Sequence, residues 1–236
     1  MPKPKAKTIL LAEQVAKILE VDLLDNGFVF DDKISAYTRK TDAFTEQIII
    51  NSHRKPGSSL SLTFTLGIRH SEVEEIFWTI DQLEPWTYFN LLNKRDRDYQ
   101  LKHSSTMSHY CLNANWQWYI DDDQSLTEIE PRIHKFANDY ALPWLSSRMA
   151  LKQILAHLGD RFSNNHETGC REARALIICY LLNDRQSASQ IIKEELLSPN
   201  GYWKSKFLEF FEKAKNCYPW FRSIEIPETN LAAQDG

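Results

Sequence analysis

Glycine is scarce in this chain, with seven in 236 residues and each standing apart from the others. No Gly-rich loop of the kind that cradles phosphates can be built from them. Cysteine is scarce as well: Cys111, Cys170, Cys179 and Cys217 are too few and too scattered for a disulfide framework, which points to a reducing compartment. No stretch approaches the length of a membrane-spanning helix. The basic start at Lys3, Lys5 and Lys7 runs into apolar residues broken by Glu13, Gln14 and Lys17, so no signal-peptide core follows. The expectation is a soluble, cytoplasmic protein. Positive charge is not in excess either, since 28 Lys and Arg against 32 Asp and Glu leave a formal charge of -4. That balance argues against a protein built to neutralise phosphates. Basic residues do gather at His53-Arg54-Lys55 and at Lys94, Arg95 and Arg97, but Asp96 and Asp98 dilute the second group, and nucleic acid is not the expected partner. The Gly-x-Ser-x-Gly elbow and the cysteine-protease signatures are both missing.

What the chain does have is a folded composition, 42% hydrophobic and 12% aromatic with seven Trp. Its clearest signal runs from Leu60 to Ile68. Apolar residues at every second position place Leu60, Leu62, Phe64, Leu66 and Ile68 on one face of a strand and Ser61, Thr63 and Thr65 on the other. The expectation is one buried face and one small polar face open to solvent or a partner. A strand-like stretch from Phe44 to Ser52 precedes it across a Pro56-Gly57 turn, giving an antiparallel hairpin.

Upstream, Leu11, Val15, Ile18, Leu19 and Leu23 mark an amphipathic helix over residues 7 to 24, ended by Asn26-Gly27 with Gly27 suited to a left-handed cap. Short strands follow over 28–30 and 34–40. Downstream, Ser71-x-x-Glu74 opens a short helix carrying Ile76, Phe77 and Ile80, with Glu72, Glu74 and Glu75 at its solvated start. Residues 99–102, 109–112 and 116–120 are further strand candidates. Asp121, Asp122 and Asp123 lead into a helix with Leu126, Ile129, Ile133 and Phe136, whose Pro131 demands a kink or a later start. Helical spacing returns over 151–158, 173–181, 188–196 and 203–214, and Asn183-Asp184-Arg185 turns two of these helices into a hairpin. The spacing is that of one tetratricopeptide-like unit, but no second copy is present, so the helices read as an appended layer. The expected fold is therefore α+β: an antiparallel sheet of five to six strands packed by helices (residues 1–158), a C-terminal helical subdomain (159–220) and a tail (221–236).

Candidate chemistry is thin. His166 and Cys170, four apart, with His157 or Cys179, are the best metal set and would suit a metal-assisted hydrolase or nuclease; yet the paired close spacings of a zinc site are absent and Asn164, Asn165 and Gly169 read as loop. His103, His109 and Cys111 do no better. The acidic run Asp121 to Asp123 lacks the alternating ligands and central Gly of a calcium loop. Cys179, in an apolar helix, reads as core. No catalytic residue, metal or cofactor is expected.

The order of features resembles a bacterial family of domains of unknown function. The likeness rests on the helix ending in Asn26-Gly27-Phe28, on Tyr37-Thr38-Arg39, Ile48-Ile49-Ile50-Asn51 and Phe64-Thr65-Leu66-Gly67-Ile68, on Trp116-x-Trp118, and on Ala141-Leu142-Pro143-Trp144. It covers residues 10 to 160 and implies a small α+β sheet with helices against it, without established catalytic residues. The functional expectation is a non-enzymatic protein-binding module, in its most concrete form an immunity or antitoxin-like protein that blocks a toxin. Its contacts would be Asp121, Asp122, Asp123, Trp116, Trp118, Glu72, Glu74 and Glu75. The metal-assisted enzyme is the alternative, and an adaptor gripping a partner through the C-terminal helical hairpin is the third reading.

Overall fold

The computed structural model describes residues 7–54, 60–81, 107–111, 116–120, 126–158, 170–197 and 201–225. These fall into two compact units, one within Met1–Ser71 and Leu92–Met149, the other within Glu72–Leu91, Ala150–Gly159 and Asn165–Gly236. The fold is α+β, an antiparallel sheet packed by helices with a helical C-terminal region.

In the first unit, helix α1 (Lys7–Leu23) buries Leu11, Val15, Leu19 and Leu23 along one stripe. Ala12 and Ala16 lie in the same stripe, and being small they let the backbone approach the sheet: the Tyr37 hydroxyl donates to the Ala16 carbonyl at 2.6 Å. Burial, with Glu20 nearby, pushes the Tyr37 phenol up to about 12. The helix ends as expected. Gly27 has φ +77°, its N–H bonds to the Leu24 carbonyl, and the Phe28 N–H returns to the Leu23 carbonyl. Gly27→Ala should cost about 1–2 kcal/mol in urea unfolding, because an added Cβ meets only Arg39 at 3.7 Å and the penalty is the left-handed backbone itself.

The strands are β1 (Val29–Asp31), β2 (Ala36–Lys40), β3 (Phe44–Arg54), β4 (Leu60–His70), β5 (Met107–Cys111) and β6 (Trp118–Ile120). They form one antiparallel sheet in the order β1-β2-β3-β4-β5, with β6 also paired to β4. The β3–β4 hairpin is in register with Ile48 opposite Leu66 and Ile50 opposite Phe64. Glu46, in the same strand, is fully buried and takes both Arg39 Nε (2.5 Å) and Nη2 (2.8 Å) in a bidentate pair. That pair holds the Arg39 guanidinium above its usual range and also lets it donate to the Asn26 carbonyl and lie 4.6 Å from the Phe28 ring, which ties the end of α1 to the sheet.

One expectation is corrected. Both faces of β4 are buried, with Ser61 at 4%, Thr63 at 1% and Thr65 at 9% exposure. Alternation tells which side chains share a face, but small hydroxyls do not keep a face wet, since once hydrogen-bonded they can be buried at little cost. Here Asn51 Nδ2 donates to Thr65 Oγ1 at 2.9 Å across the β3–β4 pair.

Helix α3 starts at Glu130 with Pro131 in its first turn, as a later start rather than a kink, and runs through Glu130–Lys135, a π-helical turn over Phe136–Ala141, and Leu142–Ser146. Pro143 accounts for the wide turn. It lacks an N–H and its ring would strike the carbonyl four residues back in a regular helix; the π turn, with the Leu142 N–H bonded to the Ala137 carbonyl, loosens that spacing. The turn points Phe136 at the sheet, where it stacks on Phe64 at 4.2 Å and 16°.

The second unit contains α2 (Ser71–Asp81), α4 (Leu151–Leu158), α5 (Cys170–Leu181), α6 (Arg185–Leu197), α7 (Gly201–Cys217) and the short α8 (Pro219–Arg222). The division differs from a boundary near residue 159, because α2 and α4 pack with the later helices. Glu74 of α2 and Arg174 of α5 form a bidentate ion pair at 2.7 and 2.8 Å, with side chains only 1% and 5% exposed. The Arg174 guanidinium lies 4.3 Å from the Phe77 ring, which stacks on Phe210. The Ser-x-x-Glu pattern thus located the start of α2, but its Glu is an interior ion rather than a solvated cap. Nor does packing stop at residue 220: Phe221 is fully buried and Ile224 is 6% exposed.

Candidate functional site

The helical hairpin α5–α6 turns through Asn183, at φ +54°, and Asp184. Asp184 caps α6, accepting the Ser187 N–H at 3.0 Å and the Ser187 hydroxyl at 2.7 Å, and these bonds hold its carboxyl below the usual range. The Asn183 side chain accepts Trp220 Nε1–H at 2.8 Å, fixing α8 against the turn. With α4 on the other side of α5, this arrangement forms an open groove of about 1300 Å³ within the helical unit.

The apolar part of the groove comes from Leu155 and Ala156 of α4, Ala175 of α5 and Ile191 of α6. Around it stand three cations, Lys152, Arg171 and Arg185, against five carboxylates, Glu172, Asp184, Glu194, Glu195 and Glu225. Two of the cations are engaged locally: Arg171 pairs with Glu172 at 2.6 Å, and Arg185 donates to the Ser223 hydroxyl at 3.1 Å. Glu195 is half-buried, and its carboxyl is pushed up first by desolvation, then by Glu172 and, more weakly, Glu194, against the opposing pull of Arg171. Because the folded chain holds that proton more tightly than the unfolded one, stability falls as pH rises through the raised value. Glu195→Gln should therefore leave stability unchanged or raise it at neutral pH, and flatten that slope in urea titrations repeated across pH.

Chemistry is poorly served here. Among the described residues no His or Cys lines the groove. Its serine hydroxyls all donate internally: Ser187 to Asp184, Ser189 to the Glu225 carbonyl and Ser223 to the Trp220 carbonyl, each at 2.7 Å. A nucleophile needs a base and an orienting group within reach; Ser189 and Ser223 donate to carbonyls, and Ser187 donates to the Asp184 carboxylate, whose lowered pKa makes it a poor base. The arrangement, an open groove that mixes apolar and charged side chains, is suited to holding a chain.

The residues singled out in the sequence are dispersed. Trp118 is 4% exposed and belongs to an aromatic cluster with Phe64, Trp116, Phe136 and Tyr140; the Arg132 guanidinium sits 5.3 Å from its ring, and its Nε1–H finds no acceptor among the described residues. Trp116 is half-buried in that cluster. Glu74 is interior, whereas Glu72 and Glu75 are exposed on α2. Asp121, Asp122 and Asp123 lie outside the described residues, as do His103 and His166 and the side chain of Cys170. His109 and Cys111 are on β5, opposite Leu66 and Phe64. His157 is half-buried on α4, and Cys179 is fully buried on α5, its thiol pushed up to about 12 by desolvation and by Asp184. Such a thiol is not a nucleophile. Among the described residues no three His, Cys, Asp or Glu side chains are grouped to hold a metal ion, and no helix is long and apolar enough to cross a membrane.

One constellation escaped the sequence reading. Asp22 of α1 accepts from Asn138 Nδ2 at 2.7 Å and lies 2.6 Å from His134 Nδ1, both on α3. His134 Nε2 is 3.8 Å from Glu130. An Asp–His pair invites comparison with a general base, but such a base keeps one ring nitrogen for its substrate. Here both nitrogens face carboxylates, and the group serves as a clamp between α1 and α3. Comparison of the chain with protein-family models, with curated proteins and with solved structures finds no match.

Proposed function

We propose that this chain is a protein-binding module with no chemistry of its own, and that it docks a polypeptide in the groove formed by α4, α5 and α6. The groove is the observation that carries this reading. Its volume of about 1300 Å³ exceeds the roughly 300–1,000 Å³ of small-molecule pockets, and its hydroxyls are committed to capping and carbonyl bonds instead of converging on a reacting atom. A helical hairpin that lends a groove to a partner segment is the adaptor form of binding. An immunity or antitoxin-like role, with a toxin as the occupant, is a specific case of the same reading. It rests on the mildly acidic, aromatic-rich composition without a convergent polar motif, and the cysteine pattern supports a cytoplasmic setting.

The test uses the full chain and a groove-filling variant. Ala156 is exposed on α4 and lines the groove, so Ala156→Trp should fill it without disturbing the core. Wild-type protein immobilised in extract of its native host should retain one stoichiometric protein partner, and Ala156→Trp, with an unchanged circular dichroism spectrum, should lose it. Equal capture by both proteins would remove the groove from the account.

A further inference from the structure

Resting on that reading, we infer that the groove selects a positively charged amphipathic helix: its apolar residues would seat on Leu155, Ala156 and Ile191, and its Lys or Arg side chains against Glu194 and Glu195. Charge complementarity is the warrant. The lining carries five carboxylates against three cations; Arg171 is paired with Glu172, Lys152 acts on Asp184 and Arg185 donates to Ser223, while Glu194 has the Gln190 amide, at 2.7 Å, as its hydrogen-bond partner among the described residues. Glu195 stands in a half-buried position where Glu172 and, more weakly, Glu194 repel its charge and Arg171 offsets part of that repulsion. A cation brought by a partner would offset the repulsion that Arg171 leaves uncompensated, so the partner gains attraction at that carboxylate. An acidic segment would meet like charges in the same place, which is how a mixed groove rejects one class of helix while accepting another. The apolar residues come from α4 and α6 on either side of α5, matching the spacing logic of a helix laid in a groove with one apolar face down.

The probe is a synthetic amphipathic helix with Leu on one face and Lys on the other, together with two counterparts of the same length in which every Lys is Gln or Glu. Binding to the full chain is read by titration calorimetry. The lysine peptide should bind at least about tenfold more tightly than the glutamine peptide, with an advantage that shrinks as salt is raised; the glutamate peptide should be the weakest. The advantage should be lost in the Glu194→Gln, Glu195→Gln double variant, and all binding should be lost in Ala156→Trp. Equal binding of the lysine and glutamine peptides, abolished by Ala156→Trp, would overturn the charge selection while leaving the groove as a docking site. So would failure of the lysine peptide to bind when a host partner is still captured in an Ala156-dependent way. If no peptide binds and host capture ignores Ala156→Trp, both the selection and the docking reading fall.

Discussion

Arg174→Met should lower the stability of the chain by about 3–5 kcal/mol, because it removes the bidentate partner of a buried carboxylate. Glu74 is 1% exposed on its side chain and Arg174 5%, so water cannot replace the lost guanidinium on either side. The attraction within such a pair is a poor guide to its net worth, since desolvating both ions opposes it; what is costly is breaking it. The double variant Glu74→Leu, Arg174→Met should therefore recover most of the loss, as two apolar side chains lie beside Phe77, which already contacts the guanidinium at 4.3 Å and stacks on Phe210. Urea midpoints of the wild type, both single variants and the double variant make a complete cycle. The deficit of Arg174→Met should also shrink in acid, where protonation neutralises the buried carboxylate. Single and double variants of equal stability would show that the pair contributes through packing alone.

The second large effect belongs to the sheet unit. Phe136→Ala should cost about 3–5 kcal/mol, the range for removing a buried aromatic ring and leaving a cavity. The ring is fully buried, stacks on Phe64 at 4.2 Å, and has Trp116 at 5.5 Å and Tyr140 at 6.1 Å. Its loss should alter the near-ultraviolet circular dichroism of Trp116 and Trp118 as well as the unfolding midpoint, because both indoles belong to the same cluster. Phe136→Leu should fall between the two, keeping volume but losing the ring-on-ring geometry.

These two sites also mark what the sequence could and could not disclose. Local features are legible: the left-handed Gly27, the β3–β4 hairpin, the delayed start of α3 around Pro131 and the hairpin turn at Asn183-Asp184 are each set by residues within a few positions of one another. Periodicity showed that Leu62, Phe64 and Leu66 share a face. It was silent on whether the Ser61, Thr63 and Thr65 face would be covered, because that depends on what packs over it and not on the strand. Glu74 read as a solvated helix start because its partner lies 100 positions away. The Asp22 clamp on His134 spans 112 positions. Single polar residues that meet across such distances leave no local pattern, and an Asp, a His or an Arg gives the same signal whether buried or exposed. For the groove, the hairpin of helices was legible, but its charge and its committed hydroxyls were not, since they follow from how α4, α5 and α6 pack. The proposed contacts at Trp118 and Glu74 reversed for the same reason, both being interior side chains.

Docking of a polypeptide between α4, α5 and α6 is tested by hydrogen–deuterium exchange of the full chain, free and with its captured partner. Slowed exchange on binding should concentrate in peptides from α4, α5 and α6, including the Asn183-Asp184 turn, while β2 to β4 exchange at unchanged rates. Protection confined to the strands, with the helical groove exchanging as in the free protein, would contradict it.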